Sequence, residues 1–140
     1  MSRARLRNRR LSLVQSAAMV RGIRGAITVE EDTKEAILGA TRDLVSKMLE
    51  VNQIADHDQI GAMIFTLTDD LRACFPAEAA RQLGMQMVPL INSREIPVPG
   101  SLPRVIRVMI LWNTEIPQKE VRHVYLRDAV KLRPDLESAQ

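Results

Sequence analysis

Aromatic residues and cysteine are scarce in this chain. Aromatics make up 3% of its 140 residues, so it lacks the stacking surfaces with which proteins hold single-stranded nucleic acid. The single cysteine, Cys74, excludes a disulfide framework and a multi-cysteine metal site and is typical of a reducing compartment. No apolar run approaches the length of a membrane span. We therefore expect a cytoplasmic protein that binds neither nucleic acid nor membrane.

Negative charge is missing from the N-terminal segment, where five arginines fall within the first ten residues and no acidic residue precedes Glu30. Without those five positive charges the formal net charge falls from +3 to −2, so the high pI reflects this segment and not the fold. The apolar run Leu11–Val14 is shorter than the roughly 7–15 residues of a secretion signal. We predict that residues 1–18 form a disordered basic leader, or lie upstream of a working start at Met19.

The remaining length and the 46% hydrophobic content suit one domain, predicted over 19–136, followed by a short tail over 137–140. Hydrophobic periodicity predicts the order β-α-β-α-β-β. The strands are predicted over 20–29, 63–67, 87–91 and 105–112, with a strand or helical turn over 121–126; the helices begin near an Asp32–Glu35 capping box and at Pro76, and a proline-rich loop spans 92–103. The segment 105–112 is apolar on both faces and is expected at the centre. This pattern predicts an α/β fold with helices packed on one face of a mixed sheet.

Arg107 interrupts this apolar strand and shares its parity with Val105, Met109 and Leu111. A buried guanidinium is costly unless a carboxylate or an anionic ligand meets it. Glu95, at the mouth of the proline-rich loop, could be that carboxylate. The strand pattern alone leaves two interpretations open, a core arginine paired with an internal acid and an arginine that binds a ligand.

Other polar residues could join Arg107 in a site. Arg24 has two glycines close by, which would let an anion approach the strand, but a surface charge is the other interpretation. Arg81 lies in the short second helix, where a solvent-exposed arginine is the alternative, and Tyr125 could be a core tyrosine with a satisfied hydroxyl. His123 lacks a triad or metal partner in the sequence. Because no catalytic-triad, metal-ligand or phosphate-loop spacing is present, the set favours binding and charge stabilisation of a small polyanion.

Three motifs in this chain resemble the monofunctional chorismate mutases of the trimeric α/β type, and the resemblance covers 20–136. They are Val-Arg-Gly-Ile-Arg-Gly-Ala with Thr-Val-Glu over 20–30, Phe-Pro-Ala at 75–77 with Arg81, and Ile-Arg-Val-Met at 106–109 with Arg-His-Val-Tyr-Leu at 122–126 and Leu-Arg-Pro-Asp-Leu at 132–136. The resemblance implies a homotrimeric pseudo-barrel with active sites between neighbouring subunits. It further implies rearrangement of chorismate to prephenate, without a cofactor or metal, in phenylalanine and tyrosine biosynthesis.

The resemblance also implies roles for individual residues. Arg107 would contact the ether oxygen of the substrate, Glu95 its ring hydroxyl, and Arg24 and Tyr125 its carboxylate region. The residues implied to line the pocket are Phe75, Ala77, Arg81, Leu90 and Ile91, with the Phe75 segment supplied by the adjacent chain, and Leu132 and Arg133 in a closing C-terminal segment. Two positions depart from the family pattern: Glu78 stands where a lysine can follow Phe-Pro-Ala, and Asn92 where a cysteine can contact the hydroxyl.

Two other classes of function stay open from the sequence. One is an imine-hydrolysing trimeric enzyme of similar outline, which also uses an arginine between subunits to hold a carboxylate. The other is a non-catalytic module that binds anions through the arginine-rich leader. The glutamate and tyrosine motifs favour chorismate mutase over both.

Overall fold

A computed structural model describes residues 18–133, so most of the predicted leader and all of the tail lie outside the described residues. Five strands and two helices make up this part of the chain. In order they are β1 Met19–Thr28, α1 Lys34–Val51, β2 Ile60–Leu67, α2 Ala77–Gln82, β3 Leu90–Arg94, β4 Val105–Thr114 and β5 Val124–Leu126. Three short 3₁₀ helices connect them: His57–Gln59, Gln118–Glu120 and Arg127–Leu132.

The five strands form one mixed sheet in the order β3-β2-β4-β1-β5. The central strand β4 pairs antiparallel with β1 and β2, while the two outer strands pair in parallel with their neighbours. The prediction that the most apolar strand lies at the centre is confirmed. The even-numbered residues from Ile106 to Trp112 are buried on the helix side, whereas Arg107, Met109 and Leu111 on the other face are only partly buried.

Both helices pack on one face of the sheet, as predicted. Ile23 and Ile27 of β1 and Ile110 of β4 lie on that face and are fully buried. Gly25 lies directly under α1: a Cβ atom added there would be 2.4 Å from the sulfur of Met48. The missing side chain therefore allows close packing of helix on strand. No helix within 18–133 has the length and apolar character needed to cross a membrane.

The first helix begins one residue later than the predicted capping box. Thr33 is the N-cap, and its hydroxyl accepts a hydrogen bond from the amide of Ala36 at 3.2 Å. Asp32 has a different role, because one of its carboxylate oxygens accepts hydrogen bonds from the amides of Arg72 and Ala73 at 2.8 and 2.9 Å. The predicted capping role of Asp32 was wrong because this distant loop uses its carboxylate.

The third strand was predicted over 87–91 and lies at Leu90–Arg94. Hydrophobicity misplaced it, since Val88 is buried but lies outside the strand, whereas the polar residues after Ile91 pair with β2. The predicted loop over 92–103 therefore begins later, at Glu95. A strand at the edge of a sheet is defined by its main-chain hydrogen bonds, and its side chains need not be apolar.

Candidate active site

A row of four residues crosses the sheet on the face opposite the helices. Tyr125 on β5 is the partner of Ala26 on β1, Ala26 is the partner of Arg107 on β4, and Arg107 is the partner of Thr66 on β2. Directly opposed side chains on neighbouring strands lie close enough to touch. Because Ala26 ends at its Cβ, the row leaves space between the guanidinium and the phenol.

This space belongs to a pocket of about 170 Å³ that contains all four residues predicted to be catalytic: Arg24, Glu95, Arg107 and Tyr125. They come from three strands and from the start of the loop after β3. Ile64, Thr66 and Met109 complete much of the lining. The pocket thus combines two guanidinium groups, one carboxylate and one phenol with apolar walls, a composition suited to holding a small anion.

The carboxylate of Glu95 is positioned by two contacts. The hydroxyl of Thr66 donates a hydrogen bond of 2.7 Å to Oε1 of Glu95, and the amide of Glu95 donates one of 2.9 Å to the carbonyl of Leu67. The same Oε1 lies 3.7 Å from Nε of Arg107. These contacts fix the carboxylate beside the central guanidinium.

Nε of Arg107 is buried and has no hydrogen-bond partner among the described residues. Its distance from Glu95 is within the range of an ion pair but too long for a hydrogen bond. Leaving a buried donor unpaired costs roughly 1–3 kcal/mol. The arrangement is therefore one in which an oxygen atom of a ligand could accept the missing hydrogen bond.

The C-terminal end of the described chain lies beside Tyr125. The guanidinium carbon of Arg133 is 5.0 Å from the centre of the phenol ring, which is cation–π geometry. Leu132 and Tyr125 pack against a small buried cluster that includes Ala26 and Val105. This segment brings a further positive charge to the β5 side of the pocket.

The remaining predicted ligand-binding residues are not brought to this pocket within one chain. Phe75, Ala77 and Arg81 lie on or beside α2, while Leu90, Ile91 and Asn92 lie on β3 at the sheet edge opposite β5. Phe75 is 70% exposed and Ile91 is 61% exposed, whereas Ala77 is fully buried. The amide of Ala77 donates a hydrogen bond of 3.1 Å to Oδ1 of Asn92. This second group thus lies around α2 and along the β3 edge, outside the pocket lining, whereas the pocket extends over β1, β4 and β5 to Glu95.

Sequence reasoning missed Thr66 and underrated His123. Thr66 is a polar residue at the parity of Ile64 in a mostly apolar strand, which was the available signal. His123 has a partner that the sequence could not reveal: its Nδ1 accepts a hydrogen bond of 2.9 Å from the amide of Arg24. Burial, reinforced by the positive charges of Arg24 and Arg133, lowers the pKa of His123 below its ordinary value of 6.5.

A second perturbed group lies near Phe75. Burial raises the pKa of the Cys74 thiol, and the negative charge of Glu78 adds to the effect. Glu78 itself forms an ion pair with Lys34 at 3.6 Å. Within 18–133, no group of three His, Cys, Asp or Glu side chains is placed to hold a metal ion.

The fold and the pocket have the composition expected of an enzyme that binds a small anion and stabilises charge on it. The family model for type I chorismate mutase matches residues 20–136. The chain is 70% identical to the chorismate mutase AroH of Thermus thermophilus over 87% of this chain and 100% of that protein, and 49% identical to the AroH of Bacillus subtilis (strain 168) over 84% and 93%.

Structural comparison agrees with the sequence matches. A chorismate mutase from Clostridium thermocellum superposes with a TM-score of 0.77 and 44% identity, over 79% of this chain and 97% of that one. The chain therefore belongs to the type I chorismate mutase family. It is an isomerase, and the resemblance seen in its sequence is confirmed.

Proposed function

We propose that the pocket around Arg107 converts chorismate to prephenate by a [3,3]-sigmatropic rearrangement, the activity of the family to which the chain belongs. The observation that carries this assignment is that the buried Nε of Arg107, beside Glu95, has no hydrogen-bond partner within 18–133. This N–H group is placed where a substrate oxygen can accept its hydrogen bond, and the charge of the guanidinium is permanent. Such a donor suits charge that develops on an oxygen during a reaction.

The rearrangement breaks the ether C–O bond of chorismate while a new C–C bond forms within the same molecule. No proton moves in this step, so the protein needs neither a general acid nor a general base. It must hold the substrate in its compact diaxial conformer and stabilise the negative charge that grows on the ether oxygen. Arg107 performs the second task in our proposal.

In this assignment Glu95 lies on the opposite side of the substrate ring from Arg107. Its carboxylate accepts the hydrogen bond of the ring hydroxyl and complements positive charge on the allyl fragment. The hydrogen bond from Thr66 keeps this carboxylate from turning fully onto Arg107. The guanidinium of Arg107 thereby stays available to the ether oxygen.

Arg24 and Tyr125 hold the substrate around its carboxylates, and Arg133 adds positive charge from the C-terminal segment. Two permanent charges match a substrate with two carboxylates. The cation–π contact between Arg133 and Tyr125 supports this placement, because it orders the segment beside the pocket. Neutralising both carboxylates at fixed positions selects one conformer of the substrate.

We propose that the active enzyme is a homotrimer with a site in each cleft between subunits. The pocket of about 170 Å³ is smaller than the roughly 300–1,000 Å³ of typical ligand sites, so one chain provides an incomplete site. The far edge of the sheet carries Ile91, and Phe75 lies beside α2; both are apolar and well exposed. That edge of a neighbouring subunit would complete the pocket with the residues around α2 and β3.

Two measurements test these proposals. The purified chain should remove the absorbance of chorismate and produce prephenate, whereas an imine hydrolase or an anion-binding module would leave chorismate unchanged. Sedimentation should give the mass of a trimer at micromolar concentration. A fully active monomer would exclude the inter-subunit site.

Mixed trimers test the origin of each residue directly. Arg107→Ala and Arg81→Ala chains, each inactive or weak alone, are refolded together in equal amounts. If the two residues serve one site from different subunits, mixed trimers regain intact sites, about one quarter of the parental number for a cyclic trimer. No gain in activity would place both residues in the same subunit's site or remove Arg81 from it.

Two further predictions concern the N-terminal leader and the cellular location of the protein. We propose that residues 1–18 are dispensable, because every candidate site residue lies beyond them. Deleting them should leave turnover unchanged, and a folded but inactive truncated protein would give the leader a catalytic role. The cytoplasmic location predicted from the single cysteine stays a prediction.

A further inference from the structure

Side chains continue the hydrogen-bond ladder along the outer edge of β1. Main-chain pairing between β1 and β5 covers only three residue pairs, beginning at Gly25 and Val124. Before that point the side chain of Gln118 bonds to both polar groups of Gly22, at 2.9 and 2.7 Å, and Nδ1 of His123 accepts the amide hydrogen of Arg24 at 2.9 Å. The backbone of Arg24 is therefore held on this side by an imidazole.

The contact requires a neutral imidazole. Nδ1 can accept the Arg24 amide only when it carries no hydrogen, which places the single ring proton on Nε2. The surroundings favour this form, because His123 is half-buried and the positive charges that face it come from Arg24 on β1 and Arg133 in the C-terminal segment. The positive charges of Arg24 and Arg133 both disfavour a positively charged imidazolium at His123.

We propose that His123 is a positioning residue for substrate binding: its neutral imidazole fixes the backbone of Arg24 and so aims the guanidinium of Arg24 into the pocket. The inference rests on the proposed role of Arg24 in holding the substrate. Arg24 is on β1 and lines the pocket, and its amide donates the hydrogen bond to His123. The next hydrogen bonds along this edge of β1 join Gly22 to the side chain of Gln118.

Protonation of His123 would abolish its hydrogen bond with the amide of Arg24. An imidazolium presents N–H groups on both nitrogens, so Nδ1 would face the Arg24 amide as donor against donor. The amide of Arg24 then has no acceptor at this edge of β1, although Arg24 is the residue proposed to bind a substrate carboxylate. We expect a weaker hold on the substrate at acid pH, seen as a higher KM, while kcat changes less because Arg107 lies on the other side of Ala26.

Two substitutions separate the acceptor from the titration. His123→Asn keeps an acceptor oxygen near the position of Nδ1 and cannot be protonated, whereas His123→Leu removes the acceptor. His57→Asn is the matched control, because His57 is the other histidine of the chain and lies outside the pocket lining. Steady-state kinetics with chorismate are measured for all four proteins from about pH 5 to 8, the range in which histidine titrates.

Near pH 8 we expect His123→Leu to raise KM roughly three- to tenfold, the change produced by losing one ordinary hydrogen bond. His123→Asn should keep the parental KM there. Towards acid pH, KM should rise in the parent and in His57→Asn but stay level in His123→Asn. If His123→Leu does not fold, the comparison of the parent with His123→Asn on the acid side decides.

Several outcomes would overturn the proposal. They are a KM of His123→Leu within twofold of the parent, equal impairment of His123→Asn and His123→Leu near pH 8, and an acid rise of KM that persists in His123→Asn. Failure of the proposed function is distinguishable, because the parent protein would then leave chorismate unchanged at every pH.

Discussion

Oε1 of Glu95 receives a 2.7 Å hydrogen bond from the hydroxyl of Thr66 and lies 3.7 Å from Nε of Arg107. This carboxylate oxygen thus accepts a hydrogen bond from the neutral hydroxyl, whereas the charged Nε lies within ion-pair distance but too far away for a hydrogen bond. The hydroxyl is the closer partner, and Nε of Arg107 has no hydrogen-bond partner among the described residues. The consequences of this arrangement can be measured.

Replacing Thr66 should impair catalysis through Glu95. Thr66→Val keeps the volume of the side chain and removes the hydroxyl, so we expect Glu95 to turn onto Arg107 and kcat to fall roughly tenfold, as for the loss of a hydrogen bond to a charged group. Thr66→Ser retains the hydroxyl and should stay near the parent. A normal kcat for a folded Thr66→Val trimer would show that Glu95 needs no such support.

Arg107 is the residue that should matter most for turnover. Arg107→Ala removes the donor that we propose stabilises the developing oxyanion, and it should lower kcat by at least roughly 10²–10³. Arg107→Lys keeps the charge but loses the planar fork, so we expect it to bind substrate and remain slow. Arg42→Ala, which removes an arginine on α1 away from the pocket, is the matched control.

The Arg107 variants require a check of folding first, because an unpaired Glu95 or a cavity in the central strand can destabilise the protein. Circular dichroism and the mass of the assembly provide it. If folded Arg107→Ala keeps kcat within threefold of the parent, the proposed mechanism is wrong.

Glu78 offers a test of how the substrate charge is neutralised. The resemblance seen in the sequence implies a lysine at this position, and here Glu78 pairs with Lys34 at 3.6 Å, with both side chains partly exposed. Glu78→Lys should lower KM with little change in kcat, because it replaces a negative charge by a positive one near the proposed inter-subunit site. The swap Lys34→Glu with Glu78→Lys is the control, since it reverses the pair without changing net charge. An unchanged KM would mean that another cation, such as Arg133, already performs this task.

The stability of the protein should depend on pH through His123. Its folded pKa lies below 6.5, so its contribution to stability is complete above about pH 6.5 and is lost as the pH falls through the folded value. Urea unfolding of the parent and of His123→Asn between about pH 5 and 7 should therefore show a larger acid loss in the parent. Parallel pH dependences of the two proteins would contradict the effect, and His57→Asn should follow the parent.

Gly25 tests the packing of α1 on the sheet. A Cβ atom there would lie 2.4 Å from the sulfur of Met48 and 3.0 Å from a methyl carbon of Leu44. Gly25→Ala should lower the free energy of unfolding by roughly 1–3 kcal/mol, the usual cost of overpacking a core. In Gly61→Ala, also on a strand, the nearest atoms are 3.7 Å away and no such loss is expected. Equal stabilities of the two variants in urea would show that Met48 moves aside without cost.

Local patterns were enough to predict most of the fold. The apolar run around Arg107 predicted the central strand because such runs are typical of strands in the interior of a sheet, and the spacing from Ile37 to Leu49 predicted the long helix because one of its faces packs on the sheet. The third strand was misplaced, since its polar residues hold their place through hydrogen bonds to β2. Asp32 was misread because its partners lie forty residues away.

For the candidate site, the sequence by itself determined which groups are present and which family motifs carry them: a charged residue in an apolar strand and a glutamate at the mouth of a proline-rich loop. Only the tertiary structure decided that Tyr125, Ala26, Arg107 and Thr66 stand in one row, and that the amide of Arg24 meets His123. Strand order and register bring together segments about a hundred residues apart. Side-chain periodicity reports which face a residue occupies but not which strand lies beside it, so those partnerships could not be predicted from the sequence.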